Sequence, residues 1–160
     1  MTISVGETIP SVKVMTVADG NPSETTTHDL IGEGKVALFS VPGAFTPTCS
    51  ARHLPGFVEQ AAALKAKGID KIVCMSVNDA FVMKAWSDAH NAGEAVEVLA
   101  DGNGDFAEAL GLTLDASGFG MGKRAQRFSA VLDGGKVTHL NVEEGGAFEV
   151  SSADYMLGQL

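Results

Sequence analysis

Lys35-Val36-Ala37-Leu38-Phe39-Ser40-Val41 runs directly into Pro42-Gly43-Ala44-Phe45-Thr46-Pro47-Thr48-Cys49-Ser50-Ala51-Arg52-His53-Leu54-Pro55. The first seven residues are nearly all apolar and β-prone, which predicts a strand covered on both faces at the centre of a sheet. From Leu54 the apolar residues recur as Phe57, Val58, Ala61, Ala62 and Leu64, the spacing of a helix packed on that sheet and closed by Gly68. Two prolines and a glycine therefore sit just beyond the C-terminal end of a buried parallel strand, the edge at which open α/β sheets place ligands.

Working outward, the alternation repeats. Ile72 to Val77 reads as a second buried strand, and Phe81, Val82, Ala85, Trp86 and Ala89 form a helical stripe behind an Asn78 or Asp79 cap. Val96 to Ala100 supplies a short strand, and Phe106, Ala109 and Leu110 a short helix begun by Asp105. Arg127 to Leu132 and Lys136 to Leu140 flank Asp133-Gly134-Gly135 as a hairpin, and Ser151 or Ser152 caps a last helix. Upstream, Ser11 to Val17 is a strand near an edge ended by the turn residues Asp19-Gly20-Asn21-Pro22, and Asp29 to Gly32 is a short turn. A parallel βαβ half, then a hairpin and a closing helix, is the order of a thioredoxin-like α/β three-layer sandwich, a central mixed sheet flanked by helices. Without internal repeats or a Pro- or Ser-rich linker, residues 1–160 read as one domain.

Composition narrows the function. Eleven Lys and Arg against 20 Asp and Glu give a net charge of -9, which repels phosphate backbones and anionic lipid, so nucleic acid and membrane are not expected partners. No apolar run approaches the ~20 residues of a membrane span, and the first residues lack a basic start and an apolar signal core. The expected compartment is the cytoplasm, where the two cysteines stay reduced and serve packing or reactivity.

Cys49 is placed in the first turn of the helix that follows the proline-bounded loop. Free N–H groups and the positive end of the helix dipole favour its thiolate there, the form in which a cysteine is a nucleophile. Residue 52 is Arg52, so the C-x-x-C pair of dithiol exchange is absent and a single-thiol mechanism is required. Cys74, in the middle of a strand, reads as a small buried hydrophobe whose functional rival is a second redox thiol. Cys49 and His53 share a helix face at i and i+4, which admits a zinc pair or a Cys-His dyad, but both lack a third member and packing is the expected role of His53. No metal or cofactor is expected. Asp101 to Asp105 lacks the terminal glutamate of a calcium loop and reads as a turn and helix cap. Gly118 to Gly122, with Lys123 and Arg124, does not run into a helix N-terminus and reads as a mobile surface loop rather than a phosphate cradle.

Pro42 to Cys49 satisfies P-x-x-x-T-x-x-C. Together with HLPGF, VNDAFVMKAW and GKRAQRFSAVLDGGKV, it closely resembles the type II (type 5) peroxiredoxins along almost the whole chain. The resemblance implies that Cys49 is the peroxidatic cysteine, that Thr46 and Pro42 are its loop partners, and that Arg127 is the active-site arginine. It implies a peroxidase that reduces hydrogen peroxide and organic hydroperoxides through a Cys49 sulfenic acid, as a homodimer. Residues 148–152 contain no cysteine, so the C-terminal resolving thiol of many animal members is missing. Cys74 matches the second cysteine of plant and bacterial members. The expected reductant is glutathione with glutaredoxin, with thioredoxin second. The alternative reading is a peroxide-sensing redox adaptor or thiol transferase, and a Cys49–His53 hydrolase is a third.

Overall fold

The computed structural model describes residues 2–93 and 95–160. Its centre is β3 (Lys35–Ser40), which pairs in parallel with β4 (Lys71–Ser76) and antiparallel with β8 (Phe128–Asp133). β4 pairs in parallel with β5 (Glu97–Ala100), and β5 meets β1 (Lys13–Ala18) antiparallel at Met15 and Ala100. With β2 (Asn21–Thr26) on one edge and β9 (Lys136–Val142) on the other, the seven-stranded order is β2-β1-β5-β4-β3-β8-β9. The sheet is mixed, as the element order predicts.

Alternation along the strands makes two cores. Ala37 and Phe39 of β3, with Ile72 and Cys74 of β4, face α2 (Leu54–Glu59), α3 (Ala61–Ala66), α4 (Ala80–Ala89) and α6 (Ala153–Gln159), which contribute Phe57, Leu64, Trp86 and Met156. Val36, Leu38, Val73 and Met75 face α1 (Thr27–Ile31) and α5 (Asp105–Leu110), which bring Ile31 and Phe106. Helices thus cover both faces, giving three layers. Among the described residues no helix is long and apolar enough to cross a membrane.

Several local expectations are corrected. The first turn is Asp19-Gly20 alone, both with positive φ (52° and 78°), and Asn21-Pro22 already belongs to β2, paired with Ala18 and Val17. Two successive left-handed residues match the twist of a hairpin, so the chain reverses immediately and adds a polar edge strand whose sequence, Asn-Pro-Ser-Glu-Thr-Thr, carries no apolar alternation. Residues 29–31 belong to α1, with Gly32 as its C-cap, and Thr26 caps the helix start by accepting from the Asp29 amide at 3.1 Å, so this is not an isolated turn. The loop at 118–122 is largely exposed, in keeping with the surface loop expected there, but the sequence does not signal the second hairpin it closes, β6 (Thr113–Asp115) with β7 (Lys123–Ala125), where the Ala116 N–H donates to the Gly122 carbonyl at 2.7 Å. Arg127 precedes β8 instead of standing in it.

The helix after the proline-bounded loop is not continuous. Its helical residues begin at Pro47, widen into a π-helical turn over Cys49–His53, resume as α2, and break at Gln60 before α3. Pro55 explains the wide turn: it has no N–H to offer and its ring crowds the carbonyl four residues back, so the preceding turn relaxes outward and the Leu54 amide bonds the Cys49 carbonyl.

Candidate active site

The loop from Pro42 to Thr46 leaves β3 at the end of the parallel pair, and its backbone is pinned from several sides. The Val41 amide donates to the Met75 carbonyl at 3.1 Å, and the Ala44 amide donates to the Asn78 side-chain oxygen at 3.0 Å. Arg124, in β7 of the second hairpin, donates through Nε to the Met121 carbonyl at 2.9 Å and through Nη1 to those of Val77 at 3.3 Å and Pro42 at 3.5 Å. A Cβ on Gly43 would meet the Met121 and Thr46 side chains at 3.1 Å and Arg124 at 3.2 Å, so glycine permits this close approach. Phe45 adopts a left-handed φ of 63°, uncommon for a bulky residue and held here by the pinned loop.

Cys49 is the third residue of the helix that begins at Pro47, as the sequence predicts, and it has 0% exposure. Arg127, at the head of β8, donates from Nη2 to the Cys49 sulfur at 3.1 Å and from Nη1 to His53 Nδ1 at 2.8 Å. His53 Nε2 lies 2.9 Å from the Ser151 carbonyl. A carbonyl only accepts, so the proton sits on Nε2 and Nδ1 is the free lone pair that Arg127 requires. Burial among Phe39, Phe57 and Phe148, and next the Arg127 charge, push the His53 pKa down to about 3 against the opposing Ser151 bond. The imidazole is therefore neutral at physiological pH. It is neither a free base for Cys49 nor mere packing, because both of its nitrogens are committed.

The structure brings Cys49 and Arg127 into direct contact. Pro42 and Thr46 remain in the adjoining loop, where the Thr46 hydroxyl donates to the Gly43 carbonyl at 2.7 Å. That bond uses the hydroxyl proton and leaves the oxygen's lone pairs to accept. Cys74 lies on the same sheet face as Cys49, wholly buried in β4, and burial first and the neighbouring Cys49 second push its thiol well up, against the lowering effect of Arg127. Both thiols are free. Asp101 fulfils the expected capping role: its carboxylate accepts from the Phe106 and Ala107 amides at 3.0 and 2.9 Å. Among the described residues no cluster of three His, Cys, Asp or Glu side chains could hold a metal ion.

The Arg127–Cys49 contact is the one the family resemblance implies, but sequence reasoning misses the bond from Arg127 to His53. His53 announced itself by its offset from Cys49, but Ser151, Phe148 and Arg124 carry no local signal. The Phe148 ring packs edge-on to His53 at 5.0 Å, under the Arg52 guanidinium at 4.7 Å.

A thioredoxin-like sandwich holding one buried cysteine under a guanidinium, beside a proline-shaped loop, defines a thiol-based oxidoreductase. Residues 4–157 match the Redoxin family model, and the chain belongs to that family. It is 48% identical over 159 residues to Peroxiredoxin-2B of Arabidopsis thaliana, covering 99% of this chain and 98% of that one. It is 49% identical to the chloroplastic Peroxiredoxin-2E-2 of Oryza sativa subsp. japonica, covering 99% of this chain and 73% of the relative. The crystal structure of reduced Prx3 from Vibrio vulnificus in complex with H2O2 superimposes with a TM-score of 0.94 at 48% identity, over 99% of each chain. The protein is thus a peroxiredoxin, a thiol-dependent peroxidase.

Proposed function

We propose that Cys49 is the peroxidatic residue and that Arg127, Thr46 and Pro42 complete its site. The observation that carries this is the 3.1 Å contact from Arg127 Nη2 to the sulfur. A permanent cation with several donors stabilises a sulfur anion and the charge that builds on a departing oxygen. Thiolate attacks one oxygen of ROOH, an S–O bond forms as the O–O bond breaks, and Cys49 becomes sulfenic acid while RO⁻ leaves and takes a proton. The Thr46 oxygen accepts from the peroxide O–H, and the half-buried Pro42 ring screens the site from water. Stopped-flow mixing with hydrogen peroxide tests this: one equivalent oxidises Cys49 far faster than free cysteine, and a rate equal to free cysteine would refute it.

Hydrogen peroxide and small organic hydroperoxides are the substrates. Regeneration is by glutathione with glutaredoxin, with thioredoxin as the second donor, in the cytoplasm. No incoming thiol reaches a sulfur with 0% exposure, so the wide turn Cys49–His53 unwinds first, eased by Pro55. Cys74, mid-strand and wholly buried, serves packing in this cycle. A homodimer covers the loop face, where Phe45 and Phe119 are 56% and 86% exposed and Phe119 lies two residues from the Met121 that touches Gly43. Coupled NADPH oxidation with the glutaredoxin and thioredoxin systems side by side identifies the donor, and sedimentation of wild type against Phe119→Glu tests the dimer.

A further inference from the structure

Glu143 follows the last residue of β9 and is only 6% exposed, yet no cation lies within ion-pairing distance of it among the described residues. Its charge is met by the chain itself. One carboxylate oxygen accepts from the Glu149, Val150 and Ser151 amides at 2.8, 2.9 and 2.9 Å and from the Ser151 hydroxyl at 2.6 Å. These four donors fold residues 144–151 back over the sheet end. The Glu143 amide also donates to the Arg127 carbonyl at 2.9 Å, extending the β8–β9 ladder one step, so its backbone abuts the arginine directly.

The loop gathered by this carboxylate presents two groups to the site: the Phe148 ring against His53, and the Ser151 carbonyl that accepts from His53 Nε2. Without that carbonyl a neutral imidazole is free to carry its proton on Nδ1, where it would oppose the Arg127 N–H instead of accepting it. The guanidinium would then lose one of the two partners that fix its plane, and its bond to the sulfur would lose direction.

We infer that Glu143 is a positioning residue for the peroxidase reaction: by anchoring Ser151 it selects the His53 tautomer that holds Arg127 against Cys49. This rests on the reading that Arg127 activates Cys49, and the experiment separates the two. The second-order rate of Cys49 oxidation by hydrogen peroxide is measured for wild type, Glu143→Gln, Arg127→Gln, the double variant, and Glu144→Gln, an exposed neighbour. Glu143→Gln keeps an acceptor but loses the charge, and lowers the rate about tenfold, the scale of one hydrogen bond involving a charged group. Glu144→Gln leaves it unchanged, and in the Arg127→Gln background Glu143→Gln has no further effect. Imidazole nitrogen NMR of His53 supplies a readout that a merely structural role would not move: one Nε2-protonated tautomer in wild type, a mixture in Glu143→Gln. If Glu143→Gln does not fold, Glu143→Asp, which keeps the charge but is too short to reach all four donors, is read by the same rate and spectra. A folded variant with the wild-type rate, or an unchanged His53 tautomer, overturns the inference. An unchanged rate in Arg127→Gln would instead overturn the reading of the site beneath it.

Discussion

The two cysteines share a face of the sheet and the same 0% exposure, but they stand in different chemistry. Cys49 sits in a π-helical turn that a proline has widened, with a guanidinium at 3.1 Å. Cys74 sits in a regular strand, opposite Phe39 in the register, and its thiol is pushed up chiefly by burial. Burial alone does not make a thiol reactive or inert. What differs is whether the surroundings offer donors to the anion, and a helix start beside the head of a strand supplies them where the middle of a strand does not.

The sharpest way to break this contrast is to exchange the cysteines' fates. Cys49→Ser is expected to abolish stoichiometric peroxide reduction, while Cys74→Ser leaves the bimolecular rate within about twofold, because its thiol takes no part in the attack. A collapse of glutaredoxin-coupled turnover in Cys74→Ser would reverse its assignment to packing. Next in size, Arg127→Gln should slow peroxide oxidation by about 10²- to 10³-fold, the scale of losing a donor aimed at developing charge. Stopped-flow rates at saturating reductant decide it.

His53 sharpens the contrast on a stability axis. Its folded pKa, about 3, lies below the unfolded value of 6.5, so the unfolded chain binds more protons between these limits. Its contribution is complete above pH ~6.5 and is lost as pH falls toward ~3, at up to about 1.4 kcal/mol per pH unit. Urea titrations at pH 7 and pH 5 should therefore differ by about 2 kcal/mol in wild type, and by that much less in a folded His53→Leu. Cys74→Ser should cost about 1–3 kcal/mol in the same assay, from a hydroxyl placed in a wholly buried strand position. The smallest effect concerns the turn itself. Trp86, buried in α4, donates from its indole to the Ser50 hydroxyl at 2.9 Å, tying the turn down. Trp86→Phe removes about 1 kcal/mol of restraint and should speed amide exchange in residues 49–54 several-fold, with little change elsewhere.

Much of this was legible before any coordinates. The apolar run at Lys35–Val41, the stripes from Leu54 and Phe81, and the Asp133-Gly134-Gly135 reversal each depend on neighbours a few residues apart, and each appears where the periodicity places it. What escaped reading was of two kinds. The edge strand Asn21–Thr26 and the small hairpin at 113–125 are held by backbone pairing and carry little side-chain pattern. The wide turn needed the steric argument at Pro55, which a helical stripe conceals because i, i+3 and i+4 positions still face inward.

By itself the sequence determined the order of elements, the first-turn position of Cys49 and, through its motifs, the family. The family resemblance named Arg127 as the partner of Cys49; only the tertiary structure decided which of its atoms meets the sulfur and that His53 and Ser151 stand behind it. Arg127 reaches Cys49 across 78 residues and His53 across 74, while His53 reaches Ser151 across 98. Local periodicity reports which face of an element is apolar. It does not report which distant polar group will meet which, because that depends on how the heads of β8 and α6 are brought over the end of β3, where a buried donor must find an acceptor or the packing fails.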